Sequence, residues 1–482
     1  MSSALPNPST RWWALVVLGL TQLMVVLDGT IVAIALPAAQ AELGIDDSQR
    51  QWVVTAYAIT FSALLLLGGR IADYWGRKRT FMVGMVGFGA ASAWGGLAQS
   101  GTELIAARGL QGVFAALLAP SALAMLSVLF PRGRDRNVAF AVFGIIAGTG
   151  AAFGFLLGGA LTQYADWRWC LLVNLFFVVA GLIGGKLLLV ESKAEGDTRY
   201  DLVGTVLVAL ALASLVYGFA LAEHGWLEVD TLGFLAAGAV LMVAFLWWQT
   251  RTSHPLLPLR VVRDRTRGGA FLLQSFVGVV MVGAMLFLTF HFQIVLGMSP
   301  LAAGFGNVAM TVVIMATAPI STKLFTTFGP RMVLTVGPLL AAAGLLFLSG
   351  ITAEGSYWSE VLPGLVVMGL GFSLIFVPLQ NLALSGVDPH DAGVASAFAN
   401  ASMHVGGSVA VAVFTALYTS SVADALAEGT GQMPAFANAY GDVFVVAAGV
   451  MVLGALTSYV LFRGPRATVV PVGGTEAVDA AH

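Results

Sequence analysis

One cysteine, Cys170, in 482 residues leaves no partner for an intramolecular disulfide and removes any Cys-built metal site. Charge is almost as scarce. Asp, Glu, Lys and Arg together make up 10% of the chain, against about 25% in a soluble globular protein. The net charge is -2 and the arginines sit in short connecting stretches, so no basic footprint for nucleic acid exists. No Gly-rich loop carries Lys-Ser or Lys-Thr to cradle a nucleotide, and no His-x-x-x-His or acidic cluster offers a metal set. Without a nucleotide, cofactor or metal, any transport must draw on an ion gradient or the solute's own gradient.

What the chain does have is long apolar runs. Hydrophobic residues make up 58% of it, and uncharged stretches of about 20 residues recur, each enough to cross a bilayer of about 30 Å. The expected fold class is therefore an all-α polytopic membrane protein. Fourteen spans are placed at 12–36, 51–73, 80–99, 103–129, 136–163, 167–190, 201–222, 231–250, 268–296, 302–327, 331–350, 357–386, 392–421 and 438–462. The first run follows a polar start, is too long for a signal peptide and lacks a cleavage pattern, so it reads as a retained helix. An even count puts both termini on one side. With that side cytoplasmic, twenty of the 23 Lys and Arg fall inside, Arg50 and Arg168 fall outside, and Arg108 lies within a span. That bias sets the orientation, N-in and C-in.

The chain also repeats itself faintly. GGRIADYWGRKR (Gly68 to Arg79) and TKLFTTFGPR (Thr322 to Arg331) align at one offset of 253 residues, with Gly76 opposite Gly329. Helices one to six and nine to fourteen then read as two parallel copies, a pattern of transporter folds. The expected organisation is a six-helix bundle over 1–195 and an inserted pair, helices seven and eight, with a basic linker over 196–267. A second six-helix bundle covers 268–465 and a disordered cytoplasmic tail covers 466–482.

Charges inside spans are costly and mark functional sites. Asp28 is the only acid in the first apolar run, about eight residues from its outer end, and Arg108 lies about five residues inside the fourth. At 1.5 Å per residue these are depths of about 12 and 8 Å, so the two can meet. A purely structural pair fixing helix packing is the blander reading. Between helices two and three, Gly69, Asp73, Gly76, Arg77 and Lys78 form a compact turn in which Asp73 and Arg77 can pair as a cytoplasmic gate. A topogenic loop with a surface ion pair worth about 0–1 kcal/mol is the alternative. Helix five carries Gly144 and Gly148, then Gly150, Gly154 and Gly158, at a spacing of four. Such a stripe gives a smooth face for close helix contact and for hinging. Polar residues on other spans are packing glue or substrate-pocket candidates: Gln22, Tyr57, Gln111, Gln274, His291, Gln293, Asn307, Gln380, Asn381, Asn400 and His404.

LDGTIVAIALP, GRIADYWGRK, RGLQG and the helix-five glycine run resemble the signature motifs of the major facilitator superfamily, specifically its fourteen-span drug:proton antiporters. FQIVLGMSPLAAG and the stretch from Gly369 to Gly407 are similar to the same family in the second half. The resemblance implies the two-bundle fold plus an inserted pair, and a proton-coupled exporter of lipophilic, neutral or monocationic drugs or natural products working by alternating access. It implies proton coupling at Asp28 and Arg108 and a cytoplasmic gate at Asp73 and Arg77. Phe155 follows Gly154 where the family has Gly-Pro, and Ala33 stands where it has Asn. Helix ten lacks the acid that some relatives use, which points away from divalent cations. The expected partners are small lipophilic substrates, protons and the lipid bilayer, with no nucleic acid, in a monomer of the bacterial inner membrane. A proton-coupled importer or facilitator shares the same fold. A membrane enzyme or receptor is the different-class alternative, and the short loops carry no catalytic constellation for it.

Overall fold

A backbone shielded from water must pair its N–H and C=O groups internally, and an apolar run does so most simply as a helix. In a computed structural model of the chain, residues 8–131, 134–193, 201–222, 225–253, 255–257, 259–384 and 392–462 are described. All regular structure among them is helical. The elements are α1 (Pro8–Leu43), α2 (Asp47–Trp75), α3 (Arg77–Gly96), α4 (Gly101–Leu129), α5 (Arg134–Tyr164), α6 (Trp169–Leu172), α7 (Asn174–Leu188), α8 (Leu202–Leu221) and α9 (Val229–Arg251). They continue with α10 (Leu259–Arg263), α11 (Arg265–Gly278), α12 (Met285–Phe290), α13 (Pro300–Leu348), α14 (Leu362–Leu384), α15 (Ala392–Ala427) and α16 (Gln432–Leu461). π-helical turns at Val279–Ala284 and His291–Val295 flank α12, and another at Tyr357–Val361 leads into α14. The tail expected at 466–482 lies outside the described residues.

Local signals set the ends. Asp46 caps α2 by accepting from Gln49 N, and Ser100 caps α4 by accepting from Glu103 N. Ser299 caps α13 with Pro300 in its first turn, where proline's missing N–H costs nothing. Between α2 and α3 there is almost no loop. Gly76 alone, at φ 124°, breaks the helix. Gly329 does the same inside α13, at φ 78°, so that this 49-residue element is two helices joined at a kink. The two repeated segments thus turn at equivalent glycines.

Among the described residues eleven helices are long and apolar enough to cross a membrane, or twelve if α2, bent by 51° near Leu66, is counted as one span. The outer surfaces are apolar: Phe176, Leu187, Val240 and Val243 are exposed. The chain is a multi-pass membrane protein. α1 packs on α5 and α7, α2 on α4, and α3 on α4 and α7. α11 packs on α15 and α16, and α13 on α14 and α16. The two groups meet along α2 with α15 and along α5 with α13. α8 and α9 form a hairpin whose α8 touches α2 and α15.

Candidate functional site

Asp28 sits mid-way along α1 and is fully buried, as is Arg108 of α4 at 1% exposure. The guanidinium Nη1 donates to Asp28 Oδ2 at 2.6 Å. Gln111, one turn further along α4, donates from Nε2 to Asp28 Oδ1 at 3.1 Å and accepts from Arg108 Nη1 at 2.9 Å. Asn174, the first residue of α7, donates to the same Oδ1 at 2.7 Å. Ser92 of α3 accepts from both amides, at 2.6 Å from Gln111 and 3.1 Å from Asn174. Arg108 Nε donates to the Val53 carbonyl of α2 at 3.2 Å, and its plane lies 4.4 Å from the Tyr57 ring centroid. Residues of five helices, α1, α2, α3, α4 and α7, therefore make up one cluster, and α4 and α7 supply the donors to the carboxylate. Its negative charge is held by three donors, one of them a formal cation, and among the described residues every polar contact to the acid is a donor.

From Tyr57 an aromatic chain leads away from this cluster. Tyr57 stacks on Phe61 at 5.8 Å, and Phe61 meets the His404 ring of α15 edge-on at 4.8 Å. The charged cluster of the first helix group is thus three side chains from the second group.

The expected Asp73–Arg77 pair is present. Arg77 donates from Nη2 at 2.9 Å and from Nε at 3.2 Å, both to Asp73 Oδ1. Gly76 lies between them, and a Cβ there would come within 2.6 Å of a Glu191 carboxylate oxygen. Glu191, just past α7, accepts from the backbone N–H groups of Lys78 and Arg79, both at 3.1 Å. A carboxylate at the free N–H groups of a helix start is favoured by their partial positive charge. Lys78 reaches across to the Leu189 carbonyl at 2.6 Å, and Gly69 lies against Pro120 of α4. The turn between α2 and α3 is therefore clamped by the segment after α7.

On α5, Gly150, Gly154 and Gly158 face Val26, Thr30 and Ile31 of α1 on successive turns. Gly144 has open space where a Cβ would go. Gly148 lies in α5, but its packing falls outside the described side chains. Gly159, which periodicity did not single out, abuts Pro300 of α13, and Gly304 abuts the Phe155 carbonyl.

The pocket candidates scatter. Tyr57 and Gln111 belong to the Asp28 cluster. Gln274 is buried on α11 and faces the Met403 sulfur at 3.6 Å. His291 is buried edge-on to Tyr440, with no hydrogen-bond partner on either ring nitrogen among the described residues. Asn307 donates to Thr289 at 3.0 Å. Gln293 bridges the helix groups, donating to the Ile34 carbonyl of α1 at 3.1 Å. Gln22 and Asn400 are half-buried on α1 and α15, Gln380 is exposed on α14, and the Asn381 side chain lies outside the described set. Ser92, Asn174 and Glu191 went unnoticed in the sequence. An isolated Ser or Asn in a helix is ordinary, and Glu191 follows its span directly; nothing local distinguishes them.

A family model described as Major Facilitator Superfamily matches residues 18–411. The chain belongs to the major facilitator superfamily. Within that superfamily it is 41% identical over 464 residues to a puromycin resistance protein of Streptomyces alboniger, covering 95% of this chain and 92% of that one. It is 35% identical to a cephamycin export protein of Amycolatopsis lactamdurans, covering 95% and 94% of the two chains. A multidrug efflux pump of Mycolicibacterium smegmatis is 29% identical, with 92% and 88% covered. Among solved structures, a POT family transporter crystallised in meso superposes with a TM-score of 0.67 at 14% identity, covering 94% and 99%. That likeness is one of fold. The superfamily is one of transporters, so the chain is a transporter and not an enzyme.

Proposed function

We propose that this chain exports lipophilic, neutral or monocationic drugs or natural products in exchange for protons, by alternating access. The observation that carries the proposal is the buried Asp28–Arg108 pair at 2.6 Å, joined by Gln111 and Asn174. An intramembrane acid with a dedicated cation is a site that can take up and release a proton as its surroundings change. Relatives bearing the words resistance, export and efflux support the direction and the substrate class. In this reading Asp28 accepts a proton from the outer side, gives up the drug, and loses the proton again towards the cytoplasm. Asp73 and Arg77, with Gly69, Gly76 and Lys78, act as the cytoplasmic gate, and the α5 glycines as the sliding face on α1. Gln274, His404 and the other polar residues of the second group line the substrate path.

The topology is read as fourteen spans. α2 counts as one bent span, α3 joins the apolar helices, and α13 divides at Gly329. Both termini then lie in the cytoplasm of a bacterial inner membrane. The monomer comprises bundles over 1–195 and 268–465, with the pair over 196–267 inserted between them.

The test uses inverted membrane vesicles and a fluorescent lipophilic cation. Wild type accumulates the dye when the lumen is made acidic, and Asp28→Asn loses about tenfold or more of that uptake, as expected when the acid paired with Arg108 is removed. Equal uptake by the two proteins sinks the coupling role. Accumulation of a nutrient in whole cells, without any gain in drug resistance, favours the importer reading instead.

A further inference from the structure

We propose that Asn174 is a positioning residue that serves Asp28 in both of its charge states, using one face of its amide for the carboxylate and the other for the protonated acid. This inference rests on the proton-coupling reading of Asp28 and adds a second residue to it.

Asp28 receives hydrogen bonds from Arg108, Gln111 and Asn174. All three are donors, which suits a carboxylate and leaves a protonated acid with nothing to donate to. Proton uptake forms one O–H bond on Asp28 and breaks none, so the new O–H needs an acceptor in a buried place. Gln111 Oε1 is already taken by Arg108. Ser92 Oγ already accepts from two amides. Asn174 Oδ1 is buried and has no hydrogen-bond partner among the described residues. It lies on the same amide whose Nδ2 is 2.7 Å from Asp28 Oδ1.

A half-turn about the last side-chain torsion exchanges Nδ2 for Oδ1, and that torsion is broad and roughly two-fold for Asn. The amide then accepts from the protonated acid where it had donated to the carboxylate. Its position suits this. Asn174 opens α7 at the break after α6, where Val173 ends the short preceding turn. The other groups facing the site do not compete. Tyr57 donates to the Val25 carbonyl at 3.5 Å and lies under Arg108. Arg50 lies over Phe290, and Arg11 and Arg168 pair with Asp135 and Glu42 near the helix ends.

The purified protein in liposomes, with a fluorescent lipophilic cation, gives two readings: transport driven by a pH gradient, and counterflow at equal pH. The ratio of the two reports coupling. For Asn174→Leu, with the same branch point and without polar atoms, this ratio falls about tenfold, the effect of one lost buried hydrogen bond. Asn174→Ser, which can both donate and accept, restores it to within about threefold. A merely structural role lowers both rates together and leaves the ratio where it was. An unchanged ratio in Asn174→Leu, or a Ser variant no better than Leu, overturns the inference. Asp28→Asn separates the two claims. If wild type and Asp28→Asn share one ratio, the coupling reading falls and this inference falls with it. If they differ while Asn174→Leu matches wild type, only the inference falls.

Discussion

Cutting Arg108 back to alanine leaves the Asp28 carboxylate buried with two amide donors and no cation. Breaking a buried pair from one side costs about 3–5 kcal/mol, because the remaining charge is uncompensated. Arg108→Ala is therefore expected to lower the melting temperature in detergent sharply. Adding Asp28→Asn to it should recover part of the loss, since no charge is then stranded. A double variant no more stable than Arg108→Ala contradicts the idea that the pair neutralises itself in a dry site. At this scale Asp28 and Arg108 were legible from the chain, because a charge inside a long apolar run stands out against its neighbours. Their amide and hydroxyl companions were not. Ser92 and Asn174 matter only because α3 and α7 bring them to Asp28, the latter across 146 positions of sequence.

Among the elements, the glycines separate into those that touch and those that do not. On α5, Gly154 meets the Thr30 side chain and the Leu27 carbonyl, whereas Gly144 meets nothing within 4 Å. Gly144→Ala should be neutral or stabilising by up to about 1 kcal/mol, since alanine is the better helix former. Gly154→Ala should destabilise by about 1–3 kcal/mol, the usual range for overpacking. Thermal melts of the two variants check the signs, and equal shifts would remove the helix-face argument. Gly76→Ala should also destabilise by about 1–3 kcal/mol, because a Cβ at φ 124° is strained and would strike Glu191. A Gly76→Ala protein that melts with wild type shows that the turn can relax. The periodicity of the α5 glycines was plain in the sequence, but which of them face α1 depends on how α5 is rotated against it. The turn at Gly76 was also expected, though as a loop. The observed helix-to-helix joint is tighter, because one residue at positive φ reverses the chain and Glu191 covers the freed N–H groups of α3.

The whole molecule is held together across its two helix groups at one end in particular. Gln293 donates to the Ile34 carbonyl, the Leu301 N–H donates to Gln163, and Gly159 lies against Pro300. These contacts lie where α1 and α5 end and α13 begins, the outer side in the proposed topology. Alternating access requires this seam to part. Cysteines replacing Gln163 and Leu301, in a background with Cys170→Ser, are expected to cross-link with a short thiol reagent of reducible type and to stop dye transport. Reductant should restore it. Transport that continues at full rate in the cross-linked protein would mean that the seam does not open in the cycle.

The sequence by itself determined the solvent of this protein and picked out the acid of its first apolar run as one that a bilayer would penalise. Those are properties of a stretch of chain and its immediate neighbours, and hydropathy reports them directly. The tertiary structure alone decided what surrounds the expected pair: that Arg108 takes one carboxylate oxygen while Gln111 and Asn174 take the other, and that one amide acceptor beside them has no partner among the described residues. The reason is physical. A buried carboxylate is defined by the donors that replace water around it, and those donors come from separate helices whose depth and rotation are set by packing.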